Sequence, residues 1–261
     1  MKNFIDLIRP GDLDKNILNS FVMRSIWLGS RGLLVEAPPA ELKSLKAYRK
    51  EFREDCLTIL DGRKQLLNSH QRGIIKQKLQ YFDLWPCLMI EDDKEKPEIK
   101  AALNAWRKSY TVICVKCNAA EITKWAVQDN RVDGILFPQK LGSRLFDLAT
   151  ARMCKQQDKF LLVPMARFLA NPRVQIARDS RRMLFYAEKK DCAVICCTRA
   201  ANVNHLRTDL ELAGLLAEVS GYPGDKLVKS MNSTLSDTVK RNLFKNSPDY
   251  VGPGVTIIRG D

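Results

Sequence analysis

Short β-prone apolar runs alternate along this chain with longer segments whose apolar positions recur at helical spacing. The runs are FIDLI (4–8), GLLVEA (32–37), LTIL (57–60), TVICV (111–115), VDGILF (132–137), FLLV (160–163) and AVICC (193–197). Between them, residues 39–53, 95–108, 119–128, 143–157, 173–189 and 206–220 carry helical periodicity or a dense supply of strong helix formers. Strands alternating with helices of this length imply parallel pairing through helical crossovers. Seven or eight such units favour a closed, TIM-like α/β barrel over an open doubly wound sheet. Two stretches break the rhythm. Residues 61–93 are poorly periodic, carry Gly62, Asn68, Gly73 and Pro86, and read as a loop with a helical piece near 74–81. Residues 221–247 read as a helical tail of two short helices separated near Ser233, followed by a Pro/Gly-punctuated ending. With no repeat beyond the βα unit and no linker, residues 1–261 read as a single domain.

Composition adds a partner to this scaffold. The 261 residues are 45% hydrophobic, ample for a core, yet 43 Lys+Arg stand against 30 Asp+Glu for a net charge of +13. The excess is concentrated: from Lys140 to Lys190 there are twelve basic residues and four acidic ones. A field of that sign suits a polyanion, nucleic acid first. The eight cysteines sit largely in apolar strand-like runs such as TVICVKC and CAVICC, so buried reduced thiols are expected rather than disulfides. MKNFIDLIRP turns polar at once and no apolar run approaches the ~20 residues of a membrane helix, which leads to the expectation of a soluble cytoplasmic protein.

Side chains suited to catalysis are few. His70 and His205 are the only histidines and stand far apart, so a multi-histidine metal centre cannot be built. Cys114 and Cys117 form one C-x-x-C without a second half, and strand alternation favours core packing for them. Active sites of α/β barrels gather at the C-terminal ends of strands, where Asp6, Glu36 and Asp61 could together hold a divalent cation. Later strand ends carry Pro138, Pro164 and Thr198, so that ligand set stops halfway. Glu91, Asp92 and Asp93 read as a solvated helix start beside Lys94 and Lys96. No phosphate-loop or G-x-G-x-x-G motif follows a strand, and Gly252-Pro253-Gly254 reads as a turn. A metal-dependent phosphoesterase using Asp6, Glu36 and Asp61 is the alternative these carboxylates keep open. A barrel enzyme for a small phosphorylated metabolite rests on fold analogy alone.

The segment RVQIARDSRRMLFYAEKK places Val174, Ala177, Met183, Leu184 and Ala187 on an apolar stripe while Arg178, Arg181, Arg182 and Lys189 point outward. Such a face can be merely solvated. Asp179 and Glu188 are too few to neutralise it, and arginine's planar fork suits bidentate phosphate binding, which favours a nucleic-acid backbone. Sparse aromatics point to backbone or shape recognition rather than to stacking on single strands.

Several segments taken in order resemble the roughly thirty-kilodalton protein subunit family of archaeal and eukaryotic ribonuclease P, its archaeal branch (protein component 3) above all. They are DNRVDGILFP (129–138), RLFDLATARM (144–153), the Arg/Lys helix around Arg181, AVICCTRA (193–200) leading into HLRTDLELAGL (205–215), then SDTVKRN (236–242) and YVGPGVTII (250–258). The resemblance implies a TIM-like barrel related to the polymerase-and-histidinol-phosphatase metallohydrolases, with their metal site lost. Asp6-Leu7-Ile8 stands where the active enzymes carry His-x-His. It also implies a non-catalytic role. The RNA subunit, with Mg2+, removes the 5′ leader from precursor tRNA, while this protein stabilises that RNA, binds no cofactor, and pairs with a small ferredoxin-like subunit, as a heterotetramer, among other ribonuclease P proteins. The family's basic positions map onto Arg152, Arg207, Lys240 and Arg241. Together with the cationic segment, the expected phosphate contacts are Lys140, Arg144, Arg152, Arg178, Arg181, Arg182, Lys189, Arg199, Arg207, Lys240 and Arg241.

Overall fold

The computed structural model describes residues 4–62, 67–91, 95–138, 145–165, 173–252 and 255–256. Seven strands form one sheet in sequence order: β1 (Ile5–Ile8), β2 (Gly32–Glu36), β3 (Asp83–Ile90), β4 (Val112–Lys116), β5 (Gly134–Leu136), β6 (Phe160–Pro164) and β7 (Ala193–Cys197). Every neighbouring pair is parallel. The sheet curls until its edges meet. Ile8 bridges Ala200 in parallel, the Arg9 amide donates to the Ala200 carbonyl (3.0 Å), and the Arg199 amide donates to that of Leu7 (2.8 Å). Arg199 has a left-handed φ of 44°, which turns the chain off β7 and toward β1. The result is the TIM-like α/β barrel expected, with seven strands.

The described helices are α1 (Lys15–Trp27), α2 (Leu42–Gly62), α3 (Ser69–Tyr81), α4 (Lys96–Trp106), α5 (Ala120–Gln128), α6 (Leu148–Gln156), α7 (Arg173–Lys189), α8 (Asp209–Ser220) and α9 (Gly224–Lys245), the first seven lying between strands and the last two following β7. Their apolar stripes cover the outer face of the barrel in two clusters. One contains Phe21, Phe52 and Phe82; the other contains Leu103, Phe146 and Leu184. A hairpin of β8 (Tyr250–Gly252) and β9 (Val255–Thr256) follows.

Period-two alternation sends the other half of the strand residues inward, where Leu7, Leu34, Cys87, Met89, Cys114, Leu136, Phe160 and Cys197 share one interior cluster. Two inward positions are glycine because ring systems fill the space. A Cβ on Gly32 would lie 2.4 Å from the Trp85 ring, and one on Gly134 would lie 2.2 Å from that of Phe160. The floor of the barrel is closed by α9. Its Leu235 and Val239 join the interior cluster, and Asn242 Nδ2 donates to the Thr111 carbonyl and to Asp133 Oδ1, both at 2.9 Å, at the N-terminal ends of β4 and β5.

Three expectations need correction. LTIL (57–60) lies within α2, because its apolar residues continue the stripe Tyr48, Phe52, Cys56 and Leu60, buried at four-residue intervals. The 61–93 stretch contains a full helix and a central strand. Pro86 concealed that strand, but it precedes the start of the β3–β4 ladder at Cys87↔Val112, and its carbonyl accepts from the Thr111 amide at 3.0 Å. The tail is one continuous helix through Ser233, whose hydroxyl donates to the Lys229 carbonyl inside it.

Candidate nucleic-acid interface and the charged barrel mouth

Continuing the inward register one step beyond the apolar interior brings Arg9, Glu36, Glu91, Lys116 and Arg199 to the C-terminal mouth of the barrel. They form an ion network. Arg199 grips Glu36 with both ends of its fork, Nε to Oε2 and Nη2 to Oε1 at 2.8 Å each, and Nη2 also reaches Glu91 Oε1 at 3.2 Å. Arg9 adds contacts to Glu36 at 3.5 Å and Glu91 at 3.7 Å, and Lys116 reaches Glu91 at 3.3 Å. Burial works against the Arg199 charge, but the Glu36 and Glu91 carboxylates more than offset it and hold the guanidinium charged. A cavity of about 640 Å³ opens beside this ring, walled by Leu88, Ile90 and Trp106.

This arrangement corrects three site expectations. Asp6, Glu36 and Asp61 do not converge. Asp6 lies on the outward side of β1, opposite to the pleat that carries Glu36 to the mouth, and accepts from the Thr198 amide (2.9 Å) and hydroxyl (2.6 Å). Asp61 sits on α2 and pairs with Lys76 at 3.1 Å. Among the described residues no group of acids, cysteines or histidines is arranged to hold a metal ion. Glu91 belongs to the mouth rather than to a solvated helix start. Arg199, expected among the phosphate contacts, has its Nε and Nη2 held by carboxylates and only 15% of its side chain exposed.

The remaining basic positions lie on helices. In α7, Met183, Leu184 and Ala187 bury against Ala151 and Cys154 of α6 and Leu212 and Leu216 of α8. That packing turns Arg178, Arg181, Arg182 and Lys189 to solvent, all exposed, with Arg152 exposed on neighbouring α6. Arg178 and Arg181 have no carboxylate partner among the described residues, Glu188 is taken by Lys226 of α9 at 3.5 Å, and Asp179 is buried. Arg182 Nε donates to the Tyr186 hydroxyl at 3.0 Å, and the Lys189 ammonium stands 5.0 Å from the centroid of the Phe185 ring. Phe185 is itself 49% exposed, an aromatic inside the stripe that the sequence reading passed over.

Arg207 is exposed just before α8, where Nη1 donates to the carbonyls of Asn204 and Leu206. Lys240 and Arg241 lie on α9 and approach Asp237 and Asp158, each at 3.9 Å. Arg241 lines the floor of the barrel with buried Lys159, whose ammonium donates to the carbonyls of Asp129 and Val132. Burial pulls Lys159 down to about 8. Lys140 and Arg144 lie outside the described residues. His70 on α3 and His205 in a short 3-10 turn (Val203–His205) are both exposed.

All eight cysteines are buried free thiols. Cys114 faces the barrel interior and Cys117 the outer cluster, so the C-x-x-C spacing does not unite them. Burial pushes Cys117 up to about 12, as suits an unreactive core residue. No described helix is long and apolar enough to cross a membrane.

No protein-family model matches the chain. Ribonuclease P protein component 3 of Methanosarcina acetivorans is 21% identical over 176 residues, 66% of this chain and 72% of the relative. The protein of the same name from Methanosarcina mazei is 22% identical over 176 residues, with the same shares. Among solved structures, a chain in a cryo-EM structure of archaeal ribonuclease P with mature tRNA superposes with a TM-score of 0.71 at 16% identity, covering 98% of this chain and 99% of that one. The chain thus resembles proteins named Ribonuclease P protein component 3 over about two-thirds of its sequence, and its fold matches, over nearly its whole length, a chain in a structure of archaeal ribonuclease P.

Proposed function

We propose that this chain is a non-catalytic protein subunit of ribonuclease P that binds and stabilises the catalytic RNA for removal of the 5′ leader from precursor tRNA. The observation that carries the reading is the α7 face, where the exposed cations Arg178, Arg181, Arg182 and Lys189 meet almost no acidic neutralisation. Their phosphate contacts release condensed counterions, the dominant source of affinity for such a surface. Arg152 extends the surface from α6, and Arg207, Lys240 and Arg241 supply further contacts. Arg199 is left to the mouth network. Catalysis and its Mg2+ belong to the RNA in this reading, and a small ferredoxin-like subunit occupies part of the remaining surface. The likeness to proteins named Ribonuclease P protein component 3 supports the assignment.

The test is reconstitution of precursor-tRNA cleavage with the RNA subunit and its protein partners, with and without this chain. Faster cleavage or a lower magnesium requirement in its presence, and none by the chain alone, is the expected result. RNA affinity should fall steeply with salt, and Arg181→Ala/Arg182→Ala should flatten the log–log slope by roughly 1 to 2. A salt-independent affinity, or cleavage indifferent to the chain, refutes the proposal.

A further inference from the structure

We infer that Phe185 is a stacking platform for an unpaired RNA base, so that α7 reads an unpaired nucleotide as well as the phosphates around it. The inference rests on the RNA-binding reading above and sharpens its ligand from RNA in general to RNA with an extruded or single-stranded base. A single exposed apolar residue needs no explanation on an ordinary surface. Phe185 is not on an ordinary surface. It falls one helical turn after Arg181 and Arg182 and one turn before Lys189, so the ring stands in the middle of the cationic stripe, 49% exposed. The opposite side of α7 carries the buried Met183, Leu184 and Ala187, so the core makes no demand for an aromatic at 185.

The ring is also held in place. Tyr186 packs against it at 5.9 Å between centroids with planes tilted by 56°, and the Lys189 ammonium stands 5.0 Å from its centroid. Tyr186 is in turn fixed by Arg182, whose Nε donates to its hydroxyl. A pre-positioned aromatic plane flanked by phosphate-binding cations is the arrangement that captures unstacked bases, because every base offers a π-face while the cations hold the backbone on either side. An apolar protein partner is disfavoured by the same surroundings. Burying Phe185 against one would strand Arg178, Arg181 and Arg182 without counter-charge unless that partner were acidic.

The experiment compares two RNAs of equal phosphate number, a hairpin with an unpaired purine loop and a fully paired duplex, by fluorescence anisotropy with the full chain. Phe185→Ala should weaken the looped RNA by about 5- to 100-fold and the duplex by less than about twofold. Phe185→Leu, which keeps apolar area but loses the plane, should behave like alanine. Phe185→Trp should restore affinity, with indole emission quenched by the looped RNA and not by the duplex.

Equal weakening of both RNAs by Phe185→Ala, or full rescue by leucine, overturns the stacking role. So does an unchanged RNA affinity accompanied by loss of an acidic protein partner. If Arg181→Ala/Arg182→Ala weakens both RNAs while the Phe185 variants weaken neither, stacking falls and the RNA-binding reading stands. If the arginine variant also binds both RNAs as well as the parent, the two fall together.

Discussion

Thr198 holds the carboxylate of Asp6 with both its amide and its hydroxyl, at 2.9 and 2.6 Å, across 192 residues of sequence. The pair sits where the last strand of the barrel meets the first. Burial drives the Asp6 carboxyl up to about 7, although the Thr198 and Leu7 donors pull the other way. The native state therefore binds this proton more tightly than the unfolded chain, whose value stays near 3.8. The stabilisation is complete below about pH 4 and is lost as pH rises through 7, at about 1.4 kcal/mol per unit of difference. Urea midpoints between pH 4 and 8 should fall more steeply for the parent than for Asp6→Asn. Parallel curves would show that Asp6 does not titrate in this window.

The mouth network should behave as a buried ion cluster. Arg199→Met leaves Glu36, whose side chain is 10% exposed, with only the half-exposed Arg9 at 3.5 Å as counter-charge, and should cost about 3 kcal/mol in unfolding free energy. Glu36→Met/Arg199→Met removes both charges of the bidentate pair and should recover most of that loss. A double variant no more stable than the single one contradicts the pairing.

Gly134 has no room for a side chain. Gly134→Ala drives a methyl into the Phe160 ring and should cost about 1 to 3 kcal/mol, and Phe160→Leu in the same chain should recover part of it. Thermal melts of the four variants of this cycle measure the coupling.

The floor of the barrel depends on α9. Leu235→Ala, at 1% exposure, should destabilise by about 2 to 5 kcal/mol. Asn242→Ala removes the donor shared by the Thr111 carbonyl and Asp133 and should cost about 1 to 3 kcal/mol. Chemical denaturation of each checks these values. An Asn242 variant as stable as the parent shows that water replaces the amide.

Much of the barrel was legible because its strands are apolar on both faces and its helices carry clear stripes. VDGILF, FLLV and AVICC needed only length and flanking helices to be read as parallel strands. Where two signals conflicted, the local one misled. LTIL looks like a strand until Tyr48 and Phe52 are counted with it, and Pro86 argues against a strand until its place before the β3–β4 ladder is known. The mouth ring was hidden for another reason. Glu36, Glu91 and Arg199 are separated by up to 163 residues, and only the inward register of three different strands brings them together. The exposed arginines of α7 followed directly from helical spacing. The same spacing puts Phe185 on their face, one turn from Arg181, Arg182 and Lys189, but does not say what an aromatic there is for.

The plug formed by Leu235, Val239 and Asn242 also sets an order of events during synthesis. The first strand leaves the ribosome long before the helix that seals the floor beneath it, and the seam at Asp6 cannot form until Thr198 has emerged. Until then both outer strands of the growing sheet present unpaired backbone, and the interior stays open at its base. A nascent chain halted at residue 220 should remain sensitive to protease, while one extended beyond residue 245 and clear of the exit tunnel should resist it. The barrel is therefore expected to close late in synthesis, once the helix 224–245 that seals its floor has been made.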